Sequence, residues 1–251
     1  MSTRRAWLLG IAVFAVSLLL SAPAALVYGW TRPKSGPAMI EAYGLEGSLA
    51  AGRVGSLAVA NRTVAHDLAW RFKFWQLPLL RLAFHVEGQG NDLFSGAVFV
   101  APGHRLGVRG LAGMLGVKGL TAAAGFPLPM DGQAKLDLKR LDVKNGVPTQ
   151  ATGTADLQGL AWTLARDPLL LGDFHADAQT LTDGIHVKLS STSGPLELEG
   201  EAQLAPDRAY KADLQLRARP EADPRVAELI RSLGAPDTRG FYHFKRSGKL
   251  P

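Results

Sequence analysis

The 251-residue chain has no cysteine. That excludes disulfide staples, thiolate metal sites and cysteine nucleophiles. It also lacks Gly-x-Ser-x-Gly, His-Glu-x-x-His and a phosphate-cradling glycine loop; "GVRGLAG" at 107–113 has glycines but no basic P-loop ending. Long stretches of one charge sign are missing too. Net charge is +6, yet Lys and Arg are spread along the chain among Asp and Glu, which argues for a mixed solvated surface and against a nucleic-acid partner. Apolar residues make up 47% and charged residues 20%, so disorder is excluded for most of the chain.

The first thirty residues lack charge almost entirely. After Arg4 and Arg5, no charged residue occurs until Arg32, leaving 26 residues from Ala6 to Thr31. As a helix rising ~1.5 Å per residue, that run is long enough for a ~30 Å hydrocarbon core. Trp7 near one end, and Tyr28 and Trp30 near the other, have the character of interfacial anchors. Arg4 and Arg5 favour a cytoplasmic N-terminus. A cleaved signal peptide competes, because Ala22-Pro23-Ala24 has the small-x-small form; the apolar run past it to Trp30 favours an uncleaved single-pass anchor. Either way the rest of the chain is exported. Residues 1–31 are read as tip and anchor, 32–38 (with Pro33, Gly36 and Pro37) as a linker, and 39–251 as the exported domain.

In that domain helical signals are scarce and the dominant period is two. Leu68, Trp70, Phe72 and Phe74 alternate with Ala69, Arg71 and Lys73; Leu82, Phe84 and Val86 alternate with His85 and Glu87. Leu196, Leu198, Gly200 and Ala202 alternate with Glu197, Glu199 and Glu201. After the turn at 205–208, Leu214 and Leu216 alternate with Asp213, Gln215 and Arg217. These are one-faced antiparallel strands and hairpins, and "AAG" at 50–52 closes an earlier hairpin. A helix is expected in "ADPRVAELIRSLG", with Pro224 early and Gly234 as stop; "VRGLAGMLGVKG" at 108–119 reads as a weaker counterpart. The expected fold is mainly β: antiparallel sheets with one or two short helices, preceded by one transmembrane helix.

"DLAWRFKFWQLPLL" at 67–80 and "GLAWTLARDPLL" at 159–170 share Leu-Ala-Trp and Pro-Leu-Leu. Each is followed by strands, then Leu-Gly (Leu115-Gly116, Leu233-Gly234), then a Gly-led basic strand. Shared order suggests a diverged repeat, with units about 44–145 and 146–251 and with Trp162 in the place that Trp70 occupies. Trp70, Phe72, Phe74, Leu82, Phe84, Trp162, Leu198, Leu214 and Leu216 are the candidate apolar lining, either of a closed core or of a groove. His175 between Asp173 and Asp177 reads as a solvent-facing trio rather than a metal site. No catalytic, metal or cofactor residue is assigned.

The anchor followed by "GLEGSLAAGRVGSL", the "LAW…PLL" segment, the central "GQAKLDLKRLDVKNGVPTQATGTADLQGLAW" and the closing "GFYHFKRSGKL" resemble protein N of the bacterial type II secretion system. The resemblance implies a non-catalytic inner-membrane protein whose β-rich periplasmic domain assists export of folded proteins across the outer membrane. Its partners would be other inner-membrane subunits, the outer-membrane secretin and membrane lipids. The alternative from the residues alone is an envelope lipid-binding or lipid-transfer protein with an apolar groove.

Overall fold

A computed structural model of the chain describes Trp7 and residues 21–31, 40–59, 62–79, 81–89, 92–123, 128–164 and 167–250. Period-two patterning resolves into one continuous antiparallel sheet. Its first strands are β1 (Ile40–Gly47), β2 (Ala51–Val59), β3 (Arg62–Phe72), β4 (Leu82–Gly88), β5 (Leu93–Ala101) and β6 (Arg105–Gly116). They continue through β7 (Met130–Lys144), β8 (Val147–Trp162), β9 (Leu169–Leu181) and β10 (Gly184–Ser193) to β11 (Leu196–Leu204), β12 (Ala209–Ala218) and β13 (Tyr242–Lys249). Each strand pairs with the next in sequence, so the order is a 13-stranded meander with β1 and β13 as its first and last strands. Among the described residues, three helical segments of seven or eight residues accompany it: α1 (Ala24–Thr31), α2 (Val117–Ala123) and α3 (Pro224–Arg231).

Registry explains why alternation worked as a guide. Directly opposed residues share a face, and Phe72 opposes Phe84, which opposes Val98, then Val108 and Leu141. Leu198, Leu216 and Tyr242 continue the apolar face at the other edge. The opposite face carries ladders such as Lys188–Glu201–Asp213–Lys245. Lys188 faces Glu201 and Lys245 faces Asp213, each exposed opposite-charge pair contributing ~1 kcal/mol or less, while Glu201 and Asp213 stand side by side as like charges.

Helix α3 forms because Asp223 caps it, accepting from the Arg225 amide at 2.9 Å, and Pro224 occupies the first turn. It buries Val226 and Ile230 on one stripe. Helix α2 touches β3, β6 and β7, and α3 touches β9 and β12; β3 and β7 are four strands apart, so the sheet must curl around α2. Val117, Ala134, Leu136, Leu160, Phe174, Val226 and Ile230 belong to one buried cluster. Both helices therefore plug the apolar face at the same end of the sheet, where β6 and β12 finish.

Three expectations need correction. Strand β3 stops at Phe72, and Phe74 starts a 3-10 segment running to Leu79, because Pro78 cannot continue a ladder. Residues 108–116 are strand, not helix; their glycines remove helix propensity, and helix begins only at Val117. Trp70 and Trp162 are not equivalent. Strands β3 and β8 run in opposite directions, so Trp70 lies toward the unplugged end of the sheet and Trp162 at the plugged end. What recurs is a helix after every sixth strand. The 145/146 division falls in the β7–β8 turn, inside the continuous sheet.

The proposed anchor lies mostly outside the described residues, Arg4 and Arg5 included. Among the described residues no helix is long and apolar enough to cross a membrane. Trp7 and Trp30 are exposed, and Tyr28 is half-buried, its hydroxyl accepting from the Ala42 amide at 3.1 Å. That contact lays α1 along the edge strand β1.

Candidate functional site

The apolar face has a covered half and an uncovered half. In the covered half, Trp162, Leu198 and Leu216 pack against the plug cluster. Leu214 is half-buried between Gly200 and Phe244. Toward the other end, Phe72 is buried with its ring centroid 5.3 Å from that of Phe84, and Trp70 opposes Val86 and the bare backbone of Gly52. Beyond them the face opens. Leu82, Val100 and Leu106 stand side by side on β4, β5 and β6, with 50%, 42% and 49% of their surface exposed.

The predicted lining thus divides. Trp70, Phe72, Leu82 and Phe84 come together; Trp162, Leu198 and Leu216 join the plug, and Phe74 leaves the face. Phe74 stacks edge-on against Trp75 at 4.8 Å, both 63% exposed. Sequence reasoning missed Trp75, Val100 and Leu106. Trp75 sits between an alternating run and Pro78, a place where a strand must already have ended.

The polar face offers ion pairs rather than chemistry. Arg109 donates to Asp142 at 2.6 Å, and Arg140 donates to the other carboxylate oxygen at 2.8 Å. Partial burial pushes the Asp142 carboxyl up, but hydrogen bonds from Arg109 and Arg140 outweigh it and hold it below its ordinary range. Phe99, buried although on this face, lies between the guanidinium groups of Arg81 and Arg109, 5.1 and 4.9 Å from its ring centroid. His175 bonds Asp156 at 2.6 Å, while Asp173 accepts from Ser193 and from the Gly159 amide. The expected trio is therefore split among three different partners. Among the described residues, no histidine is hydrogen-bonded to a Ser or Thr hydroxyl, and no group of three or more His, Asp or Glu could hold a metal.

An antiparallel meander with one apolar face and one charged face defines an all-β class of protein. The family model of type II secretion system (T2SS), protein N, matches residues 38–245, so the chain belongs to that family. It is also 24% identical to type II secretion system protein N of Aeromonas hydrophila over 241 residues, 93% of each chain. No solved structure matches it. Family membership makes it a component of the type II secretion system, a protein-transport machine.

Proposed function

We propose that the protein is a non-catalytic component held in the bacterial inner membrane by its N-terminal apolar run, the last part of which, Ala24–Thr31, lies along β1, with its N-terminus cytoplasmic. Its β-domain lies in the periplasm and assists export of folded proteins by contacts with other inner-membrane subunits and with the outer-membrane secretin. The observation that carries the contact reading is the inequality of the two sheet edges. Edge β1 is guarded by α1 through Tyr28 and the bridge between Pro23 and Ser48. Among the described residues, edge β13 has no further strand beside it, and its Lys245, Arg246 and Ser247 are exposed. An edge strand is a ready template for another chain, and its basic side chains select against self-pairing in favour of an acidic partner strand.

Deleting the gene is expected to reduce release of folded exoproteins while leaving envelope lipids normal. A photo-crosslinker at Ser247 should capture a secretion subunit that the same group at Tyr43, on β1, does not. Unchanged exoprotein release would refute the secretion role, and equal capture from both edges would refute the edge argument.

A second reading, lipid binding by the apolar face, is favoured by one observation, the exposure of Leu82, Val100 and Leu106. Lipid co-purifying with the protein, and lost when these three are changed to Ser, is its expected mark.

A further inference from the structure

The end of the sheet opposite the helical plug carries features that neither secretion membership nor the core explains. We infer that this rim, formed by the β1–β2, β3–β4, β5–β6 and β7–β8 turns, is seated on the surface of an anionic phospholipid bilayer, so that the strands rise away from the membrane. The inference rests on the reading of the apolar run before Ala22 as an anchor.

Three independent observations point there. The first is where the apolar run enters. Ala22 accepts from the Leu49 amide at 3.1 Å and Pro23 bridges to Ser48, at the turn between β1 and β2. From there an unbroken series of backbone contacts follows the rim. Ala50 accepts from Phe72, and Ala83 accepts from Lys73 at 2.8 Å; Leu82 then opposes Val100, which opposes Leu106. The uncharged sequence Ala6–Leu20 thus joins the sheet at the same end as the exposed Phe74, Trp75, Leu82, Val100 and Leu106.

The second is the side-chain chemistry. Two aromatic rings in edge contact beside half-exposed aliphatic residues match the headgroup–acyl boundary, where Trp is enriched. The third is charge. On the β1–β8 part of this rim, Arg71, Lys73, Arg105 and Lys144 have no ion pair among the described residues, whereas Glu46 pairs with Arg53 and Asp142 with Arg109 and Arg140; the β9–β10 and β11–β12 turns, further along the same end, add Asp183 and Asp207. The plugged end mixes signs, with Glu221, Asp223 and Glu228 among Arg219, Arg225 and Arg231.

The charge decides among occupants. Two copies meeting rim to rim would place unpaired cations against cations. An anionic lipid surface instead supplies both the counter-charge and an apolar layer for the rings. With β8 16 residues long, at ~3.3 Å per residue, the plugged end would stand about 50 Å from the headgroups, presenting α3 and the start of β13 to the periplasm.

The test uses the full chain, reconstituted in vesicles of 70:30 phosphatidylcholine to phosphatidylglycerol. Because the chain has no cysteine, a nitroxide on each of F14C, W75C, L106C and E228C reports one position. Accessibility to oxygen against a water-soluble nickel chelate gives its depth. Labels at 75 and 106 are expected to favour oxygen and the label at 228 to favour nickel. The combined change Lys73→Glu, Arg105→Glu, Lys144→Glu should return label 75 to water, the seated-to-free ratio falling about fivefold per charge removed. These surface changes leave the core untouched, and a label that stays at the boundary in this variant would overturn the electrostatic part.

A label at 14 within the bilayer, with 75 and 106 as nickel-accessible as 228, overturns the seating and leaves the anchor standing. A label at 14 in water overturns the anchor reading itself. Shielding of 75 from both reagents means burial in protein, a second copy or another subunit, and also overturns the proposal.

Discussion

If α3 is a plug, removing a side chain from its buried stripe should cost as much as a core deletion. Ile230 is 3% exposed and sits in the cluster that includes Val226, Phe174 and Leu196. Ile230→Ala deletes three carbons, each worth ~0.8 kcal/mol on burial, and leaves a cavity that the sheet backbone cannot close by moving. The sum is about 3 kcal/mol, inside the ~2–5 kcal/mol range of such changes. For a domain of this size each kcal/mol lowers Tm by ~2–4 °C, so a fall of roughly 6–12 °C is expected in a melt followed by far-ultraviolet circular dichroism. The control is Leu233→Ala, 36% exposed just past the helix end, expected to cost ~1 kcal/mol or less. A fall below ~2 °C for Ile230→Ala would refute the plug and make α3 a loose flap over an open face.

Other consequences are as direct. Gly172 and Gly194 have φ of 125° and 102° where β9 meets the end of β10, and a Cβ on Gly172 would lie 2.3 Å from the Ser193 carbonyl oxygen. Gly172→Ala should cost ~1–3 kcal/mol in denaturant melts, and a neutral result would refute the close approach. Phe99→Ala should cost ~3 kcal/mol although it faces the polar side, since the ring covers Gly107 and is held by two arginines; an effect under ~1 kcal/mol would place it in solvent. Stability should fall as pH drops. Carboxyls with folded-state pKa below the unfolded value, such as Asp142 and Asp131, contribute fully above the unfolded value near ~3.9 and lose that contribution as pH falls through the folded value. Urea midpoints between pH 6 and pH 2 should show the loss beginning near pH 4, with a shallower fall in Asp142→Asn. A flat profile would contradict the pairing.

Strand existence and facing were legible because a sheet with one wet face forces period two, and most of its strands follow one another through short turns. The β11–β12 hairpin and α3 are where "LELEGEAQL…AYKADLQLRA" and "ADPRVAELIR" place them. The duplicated Leu-Ala-Trp misled because those residues suit an inward position on any strand; direction along the sheet depends on how many strands intervene, which a motif does not record. Phe74 misled because the period continues for two residues beyond the strand, while Pro78 acts on geometry, not on hydropathy.

The sequence by itself determined the class of the protein. Alternation set the sheet, and the order of weak motifs pointed to its family. Only the tertiary structure decided which apolar residues are core. Alternation marks Leu82 and Leu198 alike as inward, but curling brings α2 and α3 over one end of that face and, among the described residues, no helix over the other. Whether an inward residue is buried depends on what arrives from distant sequence to cover it, and that is a property of the assembled sheet.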